Sequence, residues 1–168
     1  MADEAVTTLR AELENFERAE VAFALLETFL EVASPRLGTT VLDPVDLRLP
    51  DGMTEDRAVV QQLIDEIERE PTSPRKFRAP VERAYDVVDD QARWDFTRLA
   101  YCSNLATVWS PGSRTTYFEV SNQAKATYWL PDTLKALYFE AIAAKGWAIP
   151  EDWLAAVPKR PKSRWRRF

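Results

Sequence analysis

The last ten residues of the sequence contain its densest group of side chains with binding chemistry. Six of the ten are basic, none is acidic, and two aromatic residues lie among them. Guanidinium groups pair with phosphate or carboxylate through two parallel hydrogen bonds, and aromatic rings stack on bases or fill a partner's pocket. The pattern predicts a partner-binding basic aromatic tail over residues 159–168, formed by Lys159, Arg160, Lys162, Arg164, Trp165, Arg166, Arg167 and Phe168.

The rest of the chain has the opposite charge. Of the 22 basic residues six belong to the tail, so residues 1–158 hold 16 basic and 27 acidic residues, a net charge of −11. Many of the acids are grouped in residues 65–70 and 82–90. We expect these two acidic segments to face solvent, where the tail of another copy can contact them. The alternative is that the tail is merely solvated or folds back on its own acidic body.

A second, smaller basic group lies between two prolines. It consists of Arg75, Lys76, Phe77 and Arg78, and it repeats the mixture of cations and an aromatic ring seen in the tail. If this loop and the tail meet in space, they form one basic patch for nucleic-acid phosphates. The acidic body repels phosphate at long range, so the pattern favours a protein partner over nucleic acid.

Three carboxylates occupy positions within otherwise apolar helical stripes. Glu20 and Glu27 are seven residues apart, and Asp95 lies on a third predicted helix. Carboxylates that lie close together bind Mg²⁺ or Mn²⁺. If the protein is a metal-dependent hydrolase, these three residues are its candidate metal ligands. The favoured interpretation is that the acids lie at the edges of the stripes or pair with an arginine such as Arg18 or Arg98. We therefore expect no metal and no cofactor.

The composition excludes several common kinds of catalytic site. Histidine is absent, which removes Ser-His-Asp and Cys-His catalysis and imidazole metal ligands, and four glycines are too few for a phosphate-binding loop. The single cysteine, Cys102, falls on an apolar stripe, where thiols are usually buried and inert. No disulfide can form within the chain, which predicts a cytoplasmic protein or one within a particle assembled in the cytoplasm.

The elements that must position these residues are predicted to be mainly helical. Apolar residues recur at steps of three and four over residues 3–33, 54–70, 80–109 and 131–145, and a short helix is expected at 150–157. Two Thr- and aromatic-rich runs predict one small β-hairpin at about residues 114–130, and Thr39–Leu42 has room for a brief strand. The longest apolar run, residues 21–33, is too short and too charged to span a membrane. The expected architecture is one domain over residues 1–158, an irregular helical bundle of four to five helices.

These features together favour a non-enzymatic function. We expect a structural or adaptor subunit of a larger macromolecular assembly, such as a virion or phage neck component, that docks through its tail onto a protein partner or other copies of itself. The alternatives are a nucleic-acid-binding protein that uses the tail and the Arg75–Arg78 loop, and a carboxylate-metal hydrolase.

Overall fold

The computed structural model describes residues 6–12, 19–54, 56–70, 82–113, 115–123 and 125–153 of the chain. Within these residues four α-helices accompany one antiparallel sheet of six strands. The helices are α1 (Ala19–Ala33), α2 (Arg57–Arg69), α3 (Asp90–Leu99) and α4 (Asp132–Ala144). The strands are β1 (Val6–Glu12), β2 (Thr40–Leu42), β3 (Arg83–Ala84), β4 (Leu105–Trp109), β5 (Thr116–Ser121) and β6 (Lys125–Pro131).

The predicted fold class, a mainly helical bundle with one small hairpin, is wrong. The hairpin itself is confirmed, because β5 and β6 pair directly across a tight turn in which Asn122 and Gln123 both have positive φ. It is the middle of a sheet with the order β1-β6-β5-β4-β2-β3, in which every neighbouring pair is antiparallel. The structure is a mixed α and β fold, with helices packed on a sheet.

The predicted helix over residues 3–33 is correct only in its second half. Residues Ala19–Ala33 form α1, which ends at Ala33 before Ser34-Pro35 as expected, but residues Val6–Glu12 form strand β1. Val6, Thr7 and Thr8 are β-branched in succession, and such residues favour an extended backbone. Pairing of β1 with the whole length of β6 decides the outcome, and that contact is distant in sequence.

The predicted central helix over residues 80–109 is also wrong. The structure divides these residues into β3, α3, a 3-10 turn at Ala100–Cys102 and β4. Asp89 caps α3 by accepting a hydrogen bond from the backbone N–H of Ala92 at 2.8 Å. The buried hydroxyl of Ser103 bonds the carbonyls of Asp43 and Leu105, and so fixes the turn from α3 into β4.

The remaining predicted elements are largely confirmed. Strand β2 falls within Thr39–Leu42, α2 and α4 lie within their predicted ranges, and Gly146 ends α4 with a φ of 78°. The start of α2 differs, because the helix begins at Arg57 after its N-cap Asp56, whereas the predicted range begins at residue 54. The expected helix at 150–157 is a 3-10 turn at Glu151–Trp153, and residues beyond it lie outside the described part of the chain.

The main hydrophobic core lies between the helices and one face of the sheet. Phe29 of α1 packs edge-on against Tyr128 of β6 and Tyr138 of α4, with ring centroids 5.5 Å apart in both pairs. Tyr128 pairs with Phe118 of β5, whose ring lies 4.7 Å away. The hydroxyl of Tyr138 donates to the carbonyl of Leu25 at 2.8 Å, so α4 is also joined to α1 by a buried hydrogen bond. We call this side of the sheet the inner face.

None of the helices formed by the described residues is long and apolar enough to cross a lipid bilayer.

Candidate functional site

Among the ion-paired residues in the described part of the chain, Arg98 is the least exposed, and it joins several elements. Its Nη1 donates to Oε2 of Glu27 on α1 at 3.1 Å, and its Nε lies 3.5 Å from Oδ2 of Asp56 without forming a hydrogen bond. The guanidinium carbon lies 4.4 Å from the ring centre of Trp94 and 5.2 Å from that of Phe23. Two carboxylates and two aromatic rings therefore surround one cation, which holds α1, α3 and the start of α2 together.

Arg93, which precedes Arg98 on α3, forms a second group of ionic contacts. Its Nη2 bonds Oδ1 of Asp90 at 2.6 Å and lies 3.8 Å from Oε1 of Glu31, while Nη1 donates to the carbonyl of Val87 at 3.1 Å. The ammonium of Lys145 bonds the other carboxylate oxygen of Glu31. Glu31 thus links α3 to the end of α4 across α1.

These contacts show how the structure uses the carboxylates that were considered for a metal site. Glu27 pairs with Arg98, the alternative that the sequence favoured, and Asp95 accepts a hydrogen bond from the side-chain amide of Gln91 at 2.8 Å. Glu20 lies on the exposed side of α1. Among the described residues, no group of three or more His, Cys, Asp or Glu side chains is arranged to hold a metal ion.

The structure brings the two acidic segments, residues 65–70 and 82–90, next to each other. Arg83 of β3 donates to both carboxylate oxygens of Glu70, at 2.7 Å each, and so joins the end of α2 to the strand that precedes α3. The two segments contain eight carboxylates against two arginines. Apart from Glu70, six of the eight acids are more than a third exposed: Glu66, Glu68, Glu82, Asp86, Asp89 and Asp90. We call this region the acidic surface.

Tyr85 lies beneath the acidic surface. Its ring packs on Phe96 of α3, with centroids 5.6 Å apart, and the guanidinium carbon of Arg83 lies 5.7 Å from the ring centre. Burial raises the pKa of the Tyr85 phenol to about 12, and the positive charge of Arg83 opposes that rise. The hydrogen bond with Glu70 raises the pKa of Arg83 itself. Arg83 therefore stays charged, and its ion pair holds Glu70 of the first acidic segment beside the strand that belongs to the second.

Cys102 lies in the core, as its place on an apolar stripe predicted. The residue is fully buried in the 3-10 turn after α3, and burial raises the pKa of its thiol to about 12. A thiol with so high a pKa is almost wholly protonated at neutral pH, and the protonated form is a poor nucleophile. The structure therefore places Cys102 as a packing residue.

The face of the sheet opposite the helices has an aromatic character that the sequence reading missed. We call it the outer face. Strand alternation directs Trp129 and Thr127 away from Tyr128, and directs Tyr117 and Glu119 away from Phe118. Trp109 lies on the same side, because its indole N–H donates to Thr107, the neighbour of Glu119, at 3.0 Å. The alternation of side chains between the two faces of β5 and β6 was the available signal. A lone hairpin, however, gives no reason to expect both of its faces to be covered.

The tail and the Arg75–Arg78 loop lie outside the described residues. The structure therefore does not test the predicted partner-binding residues or the predicted second basic patch. The structure does describe the acidic surface of the body, which the tail was expected to contact.

Comparison of the chain with protein-family models, with curated proteins and with solved structures gave no match, so no relative identifies a function.

Proposed function

We propose that this protein is a non-enzymatic structural or adaptor subunit of a larger macromolecular assembly, and that it docks through its basic tail. One example of such an assembly is a virion or a phage neck. Such a subunit works in the cytoplasm or within a particle assembled there. Its partner is an acidic protein surface, either on a different protein or on another copy of this chain.

The observation that carries the proposal is the segregation of charge. The tail holds six basic side chains and no acid, whereas the two segments of the acidic surface hold eight carboxylates against two arginines. Arg83 joins those segments into one region through Glu70, so the negative charges are concentrated on one part of the body. Opposite patches of this kind steer association and select the partner.

The charged residues of the helical layer support the same function in a different way. Arg93 and Arg98 are both only 12–13% exposed and are committed to Glu27, Glu31, Asp56 and Asp90. Their role is to hold the helices together. These two arginines are therefore engaged within the body, and the tail is the densest group of basic residues in the sequence.

The test compares full-length protein with a full-length variant in which all six basic residues of the tail are replaced by glutamine. Both proteins are returned to the native source and cross-linked, and the cross-linked partners are identified by mass spectrometry. The control replaces the exposed arginines Arg10, Arg36 and Arg48, which lie outside the acidic surface, by glutamine. We expect the tail variant to lose its protein partners and the control to keep them.

Two results would overturn the proposal. One is a tail variant that enters every complex of the unmodified protein with unchanged affinity. The other is tail-dependent binding of a fluorescent DNA or RNA duplex that weakens steeply between two salt concentrations while protein cross-links are absent. The second result assigns the tail to nucleic acid, because release of counterions from phosphates makes such binding strongly salt-dependent.

A further inference from the structure

Helix α2 is held to the rest of the protein by fewer buried side chains than the other three helices. Val60 and Ile64 are its fully buried residues, whereas α1 has nine and α3 and α4 have three each. Among the helices and strands, α2 packs chiefly on α3, and Val59 on its outward side is 50% exposed. The apolar contact that keeps α2 in place is therefore small.

Several polar contacts anchor the start of α2. Nη1 of Arg57 donates to the carbonyls of Pro50 and Met53, at 3.2 and 3.0 Å, and Oδ2 of Asp56 lies 3.5 Å from Nε of Arg98. Asp56 itself has a φ of 53°, in the left-handed region that aspartate adopts more readily than most residues. Hinges are formed by a few residues at the ends of elements that absorb changes of φ and ψ. Asp56 has such a position, between an anchored loop and the helix.

The end of α2 is joined to the sheet by an exposed ion pair. Arg83 of β3 donates to both carboxylate oxygens of Glu70, but the two side chains are 36% and 55% exposed. Exposed pairs of this kind contribute little free energy. Glu66 and Glu68 lie near the same end of the helix, where the negative pole of the helix dipole disfavours carboxylates. The end of α2 is therefore easier to release than its start.

Helix α2 also has contacts of its own that keep it helical while it moves. The side-chain amides of Gln61 and Gln62 donate to the carboxylates of Asp65 and Glu66, at 2.9 and 3.2 Å, about one turn further along the helix. Pairs of this kind stabilise helices that lack tertiary contacts. Movement of α2 as an intact helix is therefore favoured over unfolding residue by residue.

We propose that α2 is a flap that opens from its C-terminal end, with Asp56 as its hinge and the Glu70–Arg83 ion pair as its clasp. Opening exposes Ile64 and the side of α3 on which α2 packs. It also separates residues 65–70 from residues 82–90, so the acidic surface is one region only while the flap is closed. This inference goes beyond the proposed function. Its tests use the isolated protein, so each of the two stands if the other fails.

Cysteine labelling in the full-length chain measures the opening. Ile64→Cys places a thiol beneath the flap, and Ile142→Cys places one at a matched position on α4, since the two isoleucines are 2% and 3% exposed. Buried Cys102 is a reference in both variants. We expect maleimide to label position 64 about tenfold faster than position 142, or more, because access requires local opening. Ile142 lies nearer the end of its helix than Ile64 does, so fraying of helix ends would favour position 142.

The clasp is tested by Glu70→Gln in the Ile64→Cys background. Loss of the ion pair should raise the labelling rate at position 64 by about threefold and leave the rate at Cys102 unchanged. The matched control, Glu68→Gln, removes the same charge from another exposed residue near the end of α2 and should not raise the rate. Equal labelling of positions 64 and 142, or an equal increase from both glutamine substitutions, would overturn the proposal.

Hydrogen exchange of the unmodified chain measures the same opening if Ile64→Cys does not fold. Helices α2 and α4 both have 13 residues, so residues 64–67 of α2 correspond in position to residues 139–142 of α4. We expect the backbone amides of residues 64–67 to exchange about tenfold faster than those of residues 139–142, or more, after correction for intrinsic rates. Similar protection of the two sets of amides would overturn the proposal.

Discussion

Nη1 of Arg98 and Oε2 of Glu27 lie 3.1 Å apart, and this contact joins α3 to α1 across residues that are 71 positions apart in the sequence. The Arg98 side chain is only 12% exposed and is flanked by the rings of Trp94 and Phe23. Solvent-exposed ion pairs contribute little to stability, but removing one partner of a largely buried pair leaves an uncompensated charge. Arg98 therefore matters more to the fold than an ordinary surface arginine.

Replacement of Arg98 by alanine should destabilise the protein substantially. The substitution leaves the carboxylates of Glu27 and Asp56 without their common cation and removes the packing of the guanidinium on Trp94 and Phe23. We expect the free energy of unfolding to fall by about 2–4 kcal/mol, measured by equilibrium urea denaturation. Glu27→Gln should cost less, because Asp56 still faces Arg98.

The matched control for Arg98 is Arg36, which is exposed in the short turn after α1. Arg36→Ala should change the free energy of unfolding by no more than about 0.5 kcal/mol, as is usual for surface substitutions. A loss below about 1 kcal/mol for Arg98→Ala, similar to that of the control, would show that the cation is not essential to helix packing.

Gly38 should be intolerant of any side chain for steric reasons. A β-carbon at this position would collide with the backbone carbonyl oxygen of Ser110, because Gly38 passes close to the end of β4. The backbone N–H of Gly38 also donates to the carbonyl of Trp109 at 2.8 Å. We expect Gly38→Ala to lower the free energy of unfolding by about 1–3 kcal/mol in urea denaturation.

Gly146 provides the contrast that separates steric from conformational effects. Its φ is 78° and a β-carbon there would meet no atom within 4 Å. Asparagine adopts positive φ more readily than alanine, so Gly146→Asn should be milder than Gly146→Ala. At position 38 asparagine should be no better than alanine. Rescue by asparagine at position 38 would contradict the steric explanation.

The accuracy of the sequence prediction depended on how local the deciding interactions are. Helix α4 and the β5–β6 hairpin were predicted because Pro131, Asp132 and Gly146 mark helix ends and the hairpin strands are adjacent in sequence. Strands β1 and β4 were read as helix because their apolar spacing also fits a helix. The pairing of β1 with β6 and of β4 with β2 is distant in sequence, and the local signals, the β-branched residues of β1 and the pairing of β4 with its neighbour β5, were outweighed by the helical spacing.

The same distinction applies to the candidate site. Pairing of Glu27 with Arg98 was foreseen as one alternative, because both residue types were visible in apolar stripes. Contact between the two acidic segments was not foreseen, because it depends on the position of Arg83 at the sheet edge. The outer face was missed for a simpler reason: a sheet that is not expected cannot be assigned two faces.

The thiol of Cys102 should be unreactive in the folded protein. The side chain is fully buried, and burial raises the pKa of the thiol to about 12, so both access and thiolate are lacking at pH 8. We expect no reaction with Ellman's reagent in native buffer over the time in which the urea-unfolded chain reacts completely. Rapid stoichiometric labelling of the native protein would show that the turn at Ala100–Cys102 opens readily, or that the thiol is accessible.

Stability should decrease in alkaline solution partly because of Tyr85. Burial raises the pKa of this phenol from 10.0 to about 12, so between these values the unfolded chain is ionised while the folded protein keeps its proton. The stabilisation is complete below pH 10 and is lost as the pH rises through 12. Between pH 9 and pH 11, Tyr85→Phe should therefore lose less free energy of unfolding than the unmodified protein, by about 1 kcal/mol.

Substitution of Arg83 should change the pKa of Tyr85, and the pH dependence of stability measures this change as well. Its positive charge opposes the rise in the pKa of Tyr85, so Arg83→Gln should raise that pKa further, leave the loss of stability between pH 9 and pH 11 nearly unchanged, and extend the loss to higher pH. Ultraviolet difference spectra of the phenolate provide an independent readout of the same shift. If Tyr85→Phe and the unmodified protein lose stability equally over this range, Tyr85 is not protected from ionisation, and the packing of its ring on Phe96 is looser than the 5.6 Å separation indicates.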